Sequence, residues 1–312
     1  MIELSHVSRN FGTFRAVNDV SFSIPTGQIV GLLGPNGAGK TTTMRMITGF
    51  LSPSDGKILI DGTDISESPV EAKKKIGYMP ESAPLYSDMI VEDYLRYIAD
   101  MHGENPDEKV PALCAECGLK EVMNKNISDL SRGNRQRVAL AHSLMHDPEI
   151  LILDEPTSGL DPNQVEDVRN IIREIGKTRT VIISTHILSE VETLCSRAII
   201  IAGGKLVADS PIDELRARFG NEMSVKLVLG NADSSAVEED LKKVSGVAEV
   251  KLTESDVPGS VGAVVSVKGS DEIRPELFKA VVEKGWTLYE MSVQKNSLED
   301  VFHTLTAAKV EA

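Results

Sequence analysis

Apolar residues recur at every second or third position at the start of the chain (Ile2, Leu4, Val7), and the pattern returns at Val17, Val20, Phe22 and Ile24. A period near two predicts two strands of a half-buried sheet. Residues 28–33 (QIVGLL) form a short continuous apolar run instead, which predicts a strand buried on both faces. A glycine-rich turn and a helix-forming stretch over 41–48 follow directly, so strand, loop and helix open a parallel α/β unit. Further buried strands are predicted at 150–153, 180–184 and 197–201, with helices over 163–175 and 188–194 between them. From about 84 to 145 the spacing is helical (Tyr94, Leu95, Ile98, Met101; Val138, Leu140, Ala141, Leu144), with no strand signal. This segment is expected to be a helical insert on the α/β core.

Near Gly220 the texture changes. The pattern then predicts a strand at 225–229, a helix at 234–244, a strand at 248–252, a Pro258-Gly259 turn and a strand at 263–267. A helix at 275–284, a strand at 287–293 and a closing helix at 297–306 complete it. A β-α-β-β-α-β order predicts a small α+β domain of ferredoxin-like type. The expected division is a domain over 1–220 and an accessory domain over 221–312.

Composition narrows the function. The chain has 312 residues with 33 Lys plus Arg against 47 Asp plus Glu, a net charge of −14, and acidic residues outnumber basic ones on both sides of residue 220. Phosphate contacts to nucleic acid draw on clustered Lys and Arg, so no nucleic-acid partner is expected. With 41% hydrophobic and 26% charged residues the chain is in the globular range. Three cysteines cannot build a disulfide framework and suit a reducing compartment. The longest apolar runs fall far short of the ~20 residues of a spanning helix. The N-terminus, MIELSHVSRN, lacks the apolar stretch of a signal peptide, which predicts a soluble, cytoplasmic chain.

The chemistry concentrates in Gly34, Pro35, Asn36, Gly37, Ala38, Gly39, Lys40 and Thr41, which fit G-x-x-x-x-G-K-S/T at every position, between a buried strand and a helix. Glycines let the backbone curl so that successive N–H groups point at a polyphosphate, and the helix N-terminus adds partial positive charge. Lys40 is expected at the β- and γ-phosphates and the Thr41 hydroxyl on Mg²⁺, with Thr42 grouped with the binding loop. Asp154 and Glu155 close the apolar strand at 150–153, in the crevice where open α/β sheets bind ligands. Asp154 suits Mg²⁺, a hard ion that prefers oxygen ligands, and Glu155 suits polarising an attacking water.

At this point the residues resemble the nucleotide-binding subunits of ABC transporters. Leu130-Ser131-Arg132-Gly133-Asn134 occupies the place of the family's LSGGQ signature and is followed by Arg135-Gln136-Arg137. Ser158-Gly159-Leu160-Asp161 resembles the D-loop, and Ser184-Thr185-His186 resembles the switch-histidine loop. Phe11 fits the aromatic that stacks on adenine. The resemblance covers about residues 1–215 and implies a P-loop ATPase core of ABC type, with an antiparallel β subdomain and the helical insert. Two departures stand out: Arg132 and Asn134 replace the common Gly and Gln of the signature, and the Q-loop position is Glu81. Glutamate at that position resembles a subset of type-2 exporter subunits and can still face Mg²⁺. The string Asn296-Ser297-Leu298-Glu299-Asp300-Val301-Phe302 resembles the ending of the same subunits.

By this resemblance two subunits, identical or paralogous, pair head to tail with ATP between Lys40 and Thr41 of one and Ser131 and Gly133 of the other. Glu155 activates water, His186 senses or holds the γ-phosphate, and Asp161 links the two sites. Residues 84–97 are expected to lie against an integral membrane permease, which places the chain on the cytoplasmic side of the membrane. The competing reading is a soluble ABC-type ATPase acting on ribosomes or DNA. Those proteins usually carry two nucleotide domains or a long coiled-coil insert, and this chain has one set of motifs. A small-molecule kinase has no use for the LSRGN, SGLD and STH elements. Cys114 and Cys117, with no second Cys or His pair, read as helix packing, and Trp286 as core of the small domain. His6, His102, His142, His146 and His303 fit no ligand spacing.

Overall fold

The computed structural model describes residues 1–219, 223–267 and 272–295. The alternating N-terminal stretch forms β1 (Ile2–Phe11) and β2 (Phe14–Ile24), an antiparallel pair. Ile2, Leu4, Val7, Val17, Val20 and Ile24 are all buried; the three-residue steps Leu4–Val7 and Val17–Val20 break the period of two at register shifts, where His6 and Asp19 take φ of 53° and 54°. β3 (Ile29–Leu33) leads through the glycine loop into α1 (Lys40–Ile47). Then come β4 (Asp55–Ile60), β5 (Thr63–Asp64), α2 (Pro69–Lys74) and β6 (Ile76–Met79). The helical insert holds α3 (Val91–His102), α4 (Pro106–Glu116) and α5 (Arg132–Ser143), with a 3-10 turn at Ile127–Asp129. β7 (Ile150–Asp154), α6 (Pro162–Ile175), β8 (Thr180–Thr185), α7 (Leu188–Leu194) and β9 (Arg197–Ala202) restore the strand–helix alternation. β10 (Lys205–Pro211) and α8 (Ile212–Phe219) follow.

The strands sort into an antiparallel sheet, β2-β1-β4-β5, and a six-stranded sheet, β10-β9-β3-β8-β7-β6. The latter is parallel except for β10. Every residue of β7 and β8 is buried, which explains their continuous apolar sequences. β4, β5 and β10 lie outside the elements that the sequence pattern predicts. β5 has two residues, and β10 leaves most of its side chains half-exposed, so neither carries a clear period. One apolar core joins the antiparallel sheet to one face of the large sheet through Ile24, Met44, Ile58, Ile152 and Ile182. Another joins the helical insert to the opposite face through Tyr94, Leu95, Leu113, Leu140 and Leu153. Cys117 lies in that second core, where burial pushes its thiol pKa far up. Tyr94 hydrogen-bonds His142 at 2.6 Å, and the rings of His102 and His146 stack.

The chain divides into two compact units, Met1–Ile212 and a second beginning at Asp213. After α8, the second unit holds β11 (Met223–Gly230), α9 (Ser234–Lys242), β12 (Val247–Thr253), β13 (Ser260–Val267), α10 (Arg274–Glu283) and β14 (Thr287–Lys295). Its sheet runs β12-β13-β11-β14, antiparallel throughout, the strand order of a ferredoxin-like fold. Its core packs Val225, Leu227, Val265, Leu241 and Leu277, with Trp286 half-buried against it. The expected helix over 297–306 and the string at 296–302 lie outside the described residues, as does His303.

Candidate active site

The register of the parallel sheet builds the site. Leu33 stands opposite Thr185, and Asp154 opposite Ser184. The loops after β3, β7 and β8 therefore leave the sheet at one edge, where a doubly wound sheet binds its ligand. In the first loop Gly37 and Gly39 have φ of 78° and 106°, a left-handed backbone that favours glycine. A Cβ on Gly34 would lie 2.3 Å from the Ile201 carbonyl oxygen, so only glycine passes there. Gly39 offers no side-chain cap to α1, which leaves the first N–H groups of the helix free for an anion.

Lys40 is 6% exposed. Its Nζ donates to the Gly34 carbonyl at 2.7 Å and the Pro35 carbonyl at 3.4 Å, and stands 3.8 Å from Glu155. Burial lowers its pKa, while the charges of Glu155, Asp154 and Glu81 oppose the shift. The Thr41 hydroxyl donates to Asp154 Oδ1 at 3.3 Å, and Ser184 donates to the same oxygen. Glu155 is a non-glycine residue at φ 50°, held by its N–H donating to the Ser184 carbonyl at 3.1 Å. Burial raises its carboxyl pKa, and the hydrogen bond from His186 and the Lys40 charge pull it back. His186 Nδ1 lies 3.0 and 3.2 Å from the two carboxylate oxygens of Glu155.

These groups surround a cleft of about 550 Å³, within the size range of small-molecule sites. Phe11, residues 36–42, Glu81, Glu155 and His186 all line it. Gly34 and Pro35 touch it through the carbonyls that hold Lys40, and Asp154 through Thr41. Ser131, Gly133 and Asp161 stand outside the cleft. Ser131 caps α5 by accepting the Asn134 N–H at 3.3 Å, and Asp161 caps α6 by accepting from Asn163 and Gln164. A Cβ on Gly133 would meet the Gln164 side chain at 2.7 Å, so the starts of α5 and α6 pack together. The Arg132 guanidinium lies against Gly159 of the same chain. Sequence reasoning missed Phe14 and Ala16, which also line the cleft, as does Ser158 of the D-loop-like string. The alternation of β2 carries the only signal for Phe14, an exposed aromatic at the strand start beside Phe11. Ser184, which the sequence marks only as the start of the switch-histidine string, holds Asp154 and Glu155.

Comparison with known proteins agrees with this geometry. The family model "ABC transporter" matches residues 17–158, and the model for the C-terminal domain of DrrA1-3-like ATP-binding proteins matches residues 211–306. An uncharacterized ABC transporter ATP-binding protein of Bacillus subtilis, YhcH, is 36% identical over 321 residues, covering 100% of this chain and 97% of the relative. The bacitracin transport ATP-binding protein BcrA of Bacillus licheniformis is 31% identical, covering 97% of this chain and 96% of its own length. A solved ATP-binding subunit of an ABC transporter superposes with a TM-score of 0.64 at 30% identity, over 70% of this chain and 93% of that one. A buried lysine on a glycine loop, an acidic strand end and a histidine loop thus share one cleft in a chain matched along its length, and the protein belongs to the ABC transporter ATP-binding proteins, as an ATPase of that family.

Proposed function

We propose that this chain drives a membrane exporter by hydrolysing ATP in the cleft between Lys40, Glu155 and His186. The convergence of those three side chains carries the reading. Phosphoryl transfer to water needs positioning and charge neutralisation more than covalent chemistry. Lys40 and the N-terminus of α1 take the β- and γ-phosphates, and Phe11 takes the adenine. Glu155, buried beside Lys40 and His186, accepts a proton from the attacking water. His186 holds the Glu155 carboxylate and faces the γ-phosphate.

The Thr41 hydroxyl and the Asp154 carboxylate, 3.3 Å apart with Glu81 on the same cleft, form an all-oxygen donor set that fits Mg²⁺. When bound, the ion neutralises phosphate charge. Ser131 and Gly133 stand outside the cleft of their own chain, as residues that serve the ATP of an opposing copy or paralogue would. Closure of such a dimer around ATP and its release after hydrolysis supply the power stroke.

The permease side is supported by exposed aromatics. Phe50 is 71% exposed, and Tyr86 and Tyr97 are also exposed, beside a groove lined by Pro84 and Leu85. Among the described residues no helix is long and apolar enough to cross a membrane. In this reading the channel is formed by separate permease subunits, with this chain on their cytoplasmic side. Kinship with a bacitracin transport protein favours export.

Affinity purification of the Glu155→Gln chain with ATP from mildly solubilised native membranes tests the reading. A stoichiometric multi-span protein is the expected companion. Ribosomal proteins or nucleic acid without any membrane protein would overturn it.

A further inference from the structure

Glu190 lies in α7, one helical turn past His186, and is 2% exposed. A carboxylate buried that deeply requires hydrogen bonds at both oxygens or a paired charge. Here the two oxygens reach the loop after β7 and the last residue of β8. Oε1 accepts from the hydroxyl of Thr157, in the segment that runs on from Glu155, and Oε2 accepts from the hydroxyl of Thr185 at 2.7 Å. The Thr185 oxygen in turn accepts the N–H of Ile187 at 3.0 Å, so His186 is flanked on both sides by residues tied to this group. The Arg169 guanidinium of α6 stands 4.0 Å from Oε1. Thr157 and Thr185 are themselves buried.

We propose that Glu190 is a positioning residue for hydrolysis, clamping the loop after β7 to the end of β8 so that His186, the next residue, keeps its contact with Glu155. This rests on reading Glu155 and His186 as the hydrolytic pair. One carboxylate with two acceptor oxygens fixes the separation of two donors, which no pair of independent contacts achieves as rigidly. Removing it leaves two buried hydroxyls without their acceptor and leaves Arg169 to the more exposed Glu166 carboxylate, 3.7 Å away. Neither Glu190 nor the two threonines line the ATP cleft. Their effect therefore falls on turnover and spares nucleotide affinity.

The test compares steady-state ATP hydrolysis, nucleotide binding and thermal melting of the full chain with those of Glu190→Ala, Glu190→Gln, Thr157→Val, Thr185→Val and Glu155→Gln. Glu190→Ala is expected to lower kcat by about tenfold to a hundredfold, the usual effect of losing an outer-shell partner. KM should stay within about threefold, because ground-state binding is untouched. Glu190→Gln, which keeps an acceptor oxygen and the side-chain volume, should recover most of the loss. The two valine variants should each lose less, and together no more than Glu190→Ala, since they act through one group. If Glu190→Ala does not fold, the near-isosteric valine variants carry the test, and wild-type kcat in both overturns the clamp. Wild-type kcat in a folded Glu190→Ala, or kcat and ATP affinity falling together, overturns it too. Glu155→Gln separates the two readings: undiminished hydrolysis there removes the catalytic pair itself, whereas arrested hydrolysis there beside normal turnover in Glu190→Ala removes the clamp alone.

Discussion

The imidazole of His186 bridges both carboxylate oxygens of Glu155, at 3.0 and 3.2 Å, across the gap between the loops after β7 and β8. Glu155 is pulled in opposite directions: burial favours its neutral form, while His186 and Lys40 favour the charged one. The balance raises its pKa, so as pH falls the carboxylate protonates earlier than an ordinary glutamate and stops acting as a base. The acid limb of the kcat–pH profile should therefore lie above the usual glutamate range. Replacing His186 by Ala removes a contact that holds the pKa down, so the limb should move to still higher pH in the residual activity. An acid limb at the ordinary glutamate value in both proteins would contradict this assignment.

Glu155→Gln keeps the shape of the cleft and removes the base. ATP binding should stay within a few-fold of wild type, while hydrolysis falls by about 10²- to 10⁴-fold, the typical contribution of a general base. Single-turnover hydrolysis alongside equilibrium nucleotide binding measures both quantities, and wild-type turnover would end the base assignment.

Lys40→Ala removes the one ammonium held on the Gly34 and Pro35 carbonyls. A desolvated cation facing a polyphosphate makes strong charge-assisted hydrogen bonds, so the Kd for ATP should rise by about a hundredfold or more. Titration with a fluorescent ATP analogue reads this directly, and an unchanged Kd would contradict the phosphate-loop reading.

Phe11 lines the cleft with its ring under the Arg9 guanidinium, 4.8 Å from Cζ to the ring centroid. Phe11→Ala should weaken ATP by about fivefold, near 1 kcal/mol for a lost aromatic contact, without changing kcat at saturating nucleotide. A GTP competition assay alongside ATP binding shows whether Phe11 contributes through stacking, which predicts losses for both purines.

Gly77 sits in β6, where a Cβ would fall 2.1 Å from the Ser143 carbonyl oxygen and 2.8 Å from Pro148. Neither the backbone nor the proline ring yields easily, so Gly77→Ala should destabilise the first unit by about 2 kcal/mol or more. Trp286, the single tryptophan, reports on the second unit through its fluorescence, because it packs on that unit's separate core. Far-UV circular dichroism should therefore show an earlier transition in the variant while the tryptophan transition keeps its midpoint.

Much of this architecture was legible in local pattern. The glycine loop, Lys40 and Thr41 are consecutive, and their chemistry needs only the strand before them and the helix after. The continuous apolar runs at β3, β7 and β8 and the β-α-β-β-α-β tail were likewise readable, because burial on both faces or on one face imprints directly on neighbouring residues. β5 and β10 were not, since a two-residue strand and a half-exposed one carry too few core positions to set a period.

Sequence by itself therefore determined the phosphate loop, the acidic strand end and the order of the elements, all properties of short contiguous segments. Only the tertiary structure decided which of them meet. Asp154 reaches Thr41 because six strands take the order β10-β9-β3-β8-β7-β6, with the antiparallel sheet and α1 packed on one face and the helical insert on the other. Ser131 and Asp161 turn out to cap α5 and α6 outside the cleft that holds Lys40. Glu190, an unremarked acidic residue in a short helix, becomes the shared acceptor of two buried threonines only when β7 and β8 lie side by side. Contacts between residues distant in the chain leave no periodic trace, because each partner satisfies its local element equally well without the other.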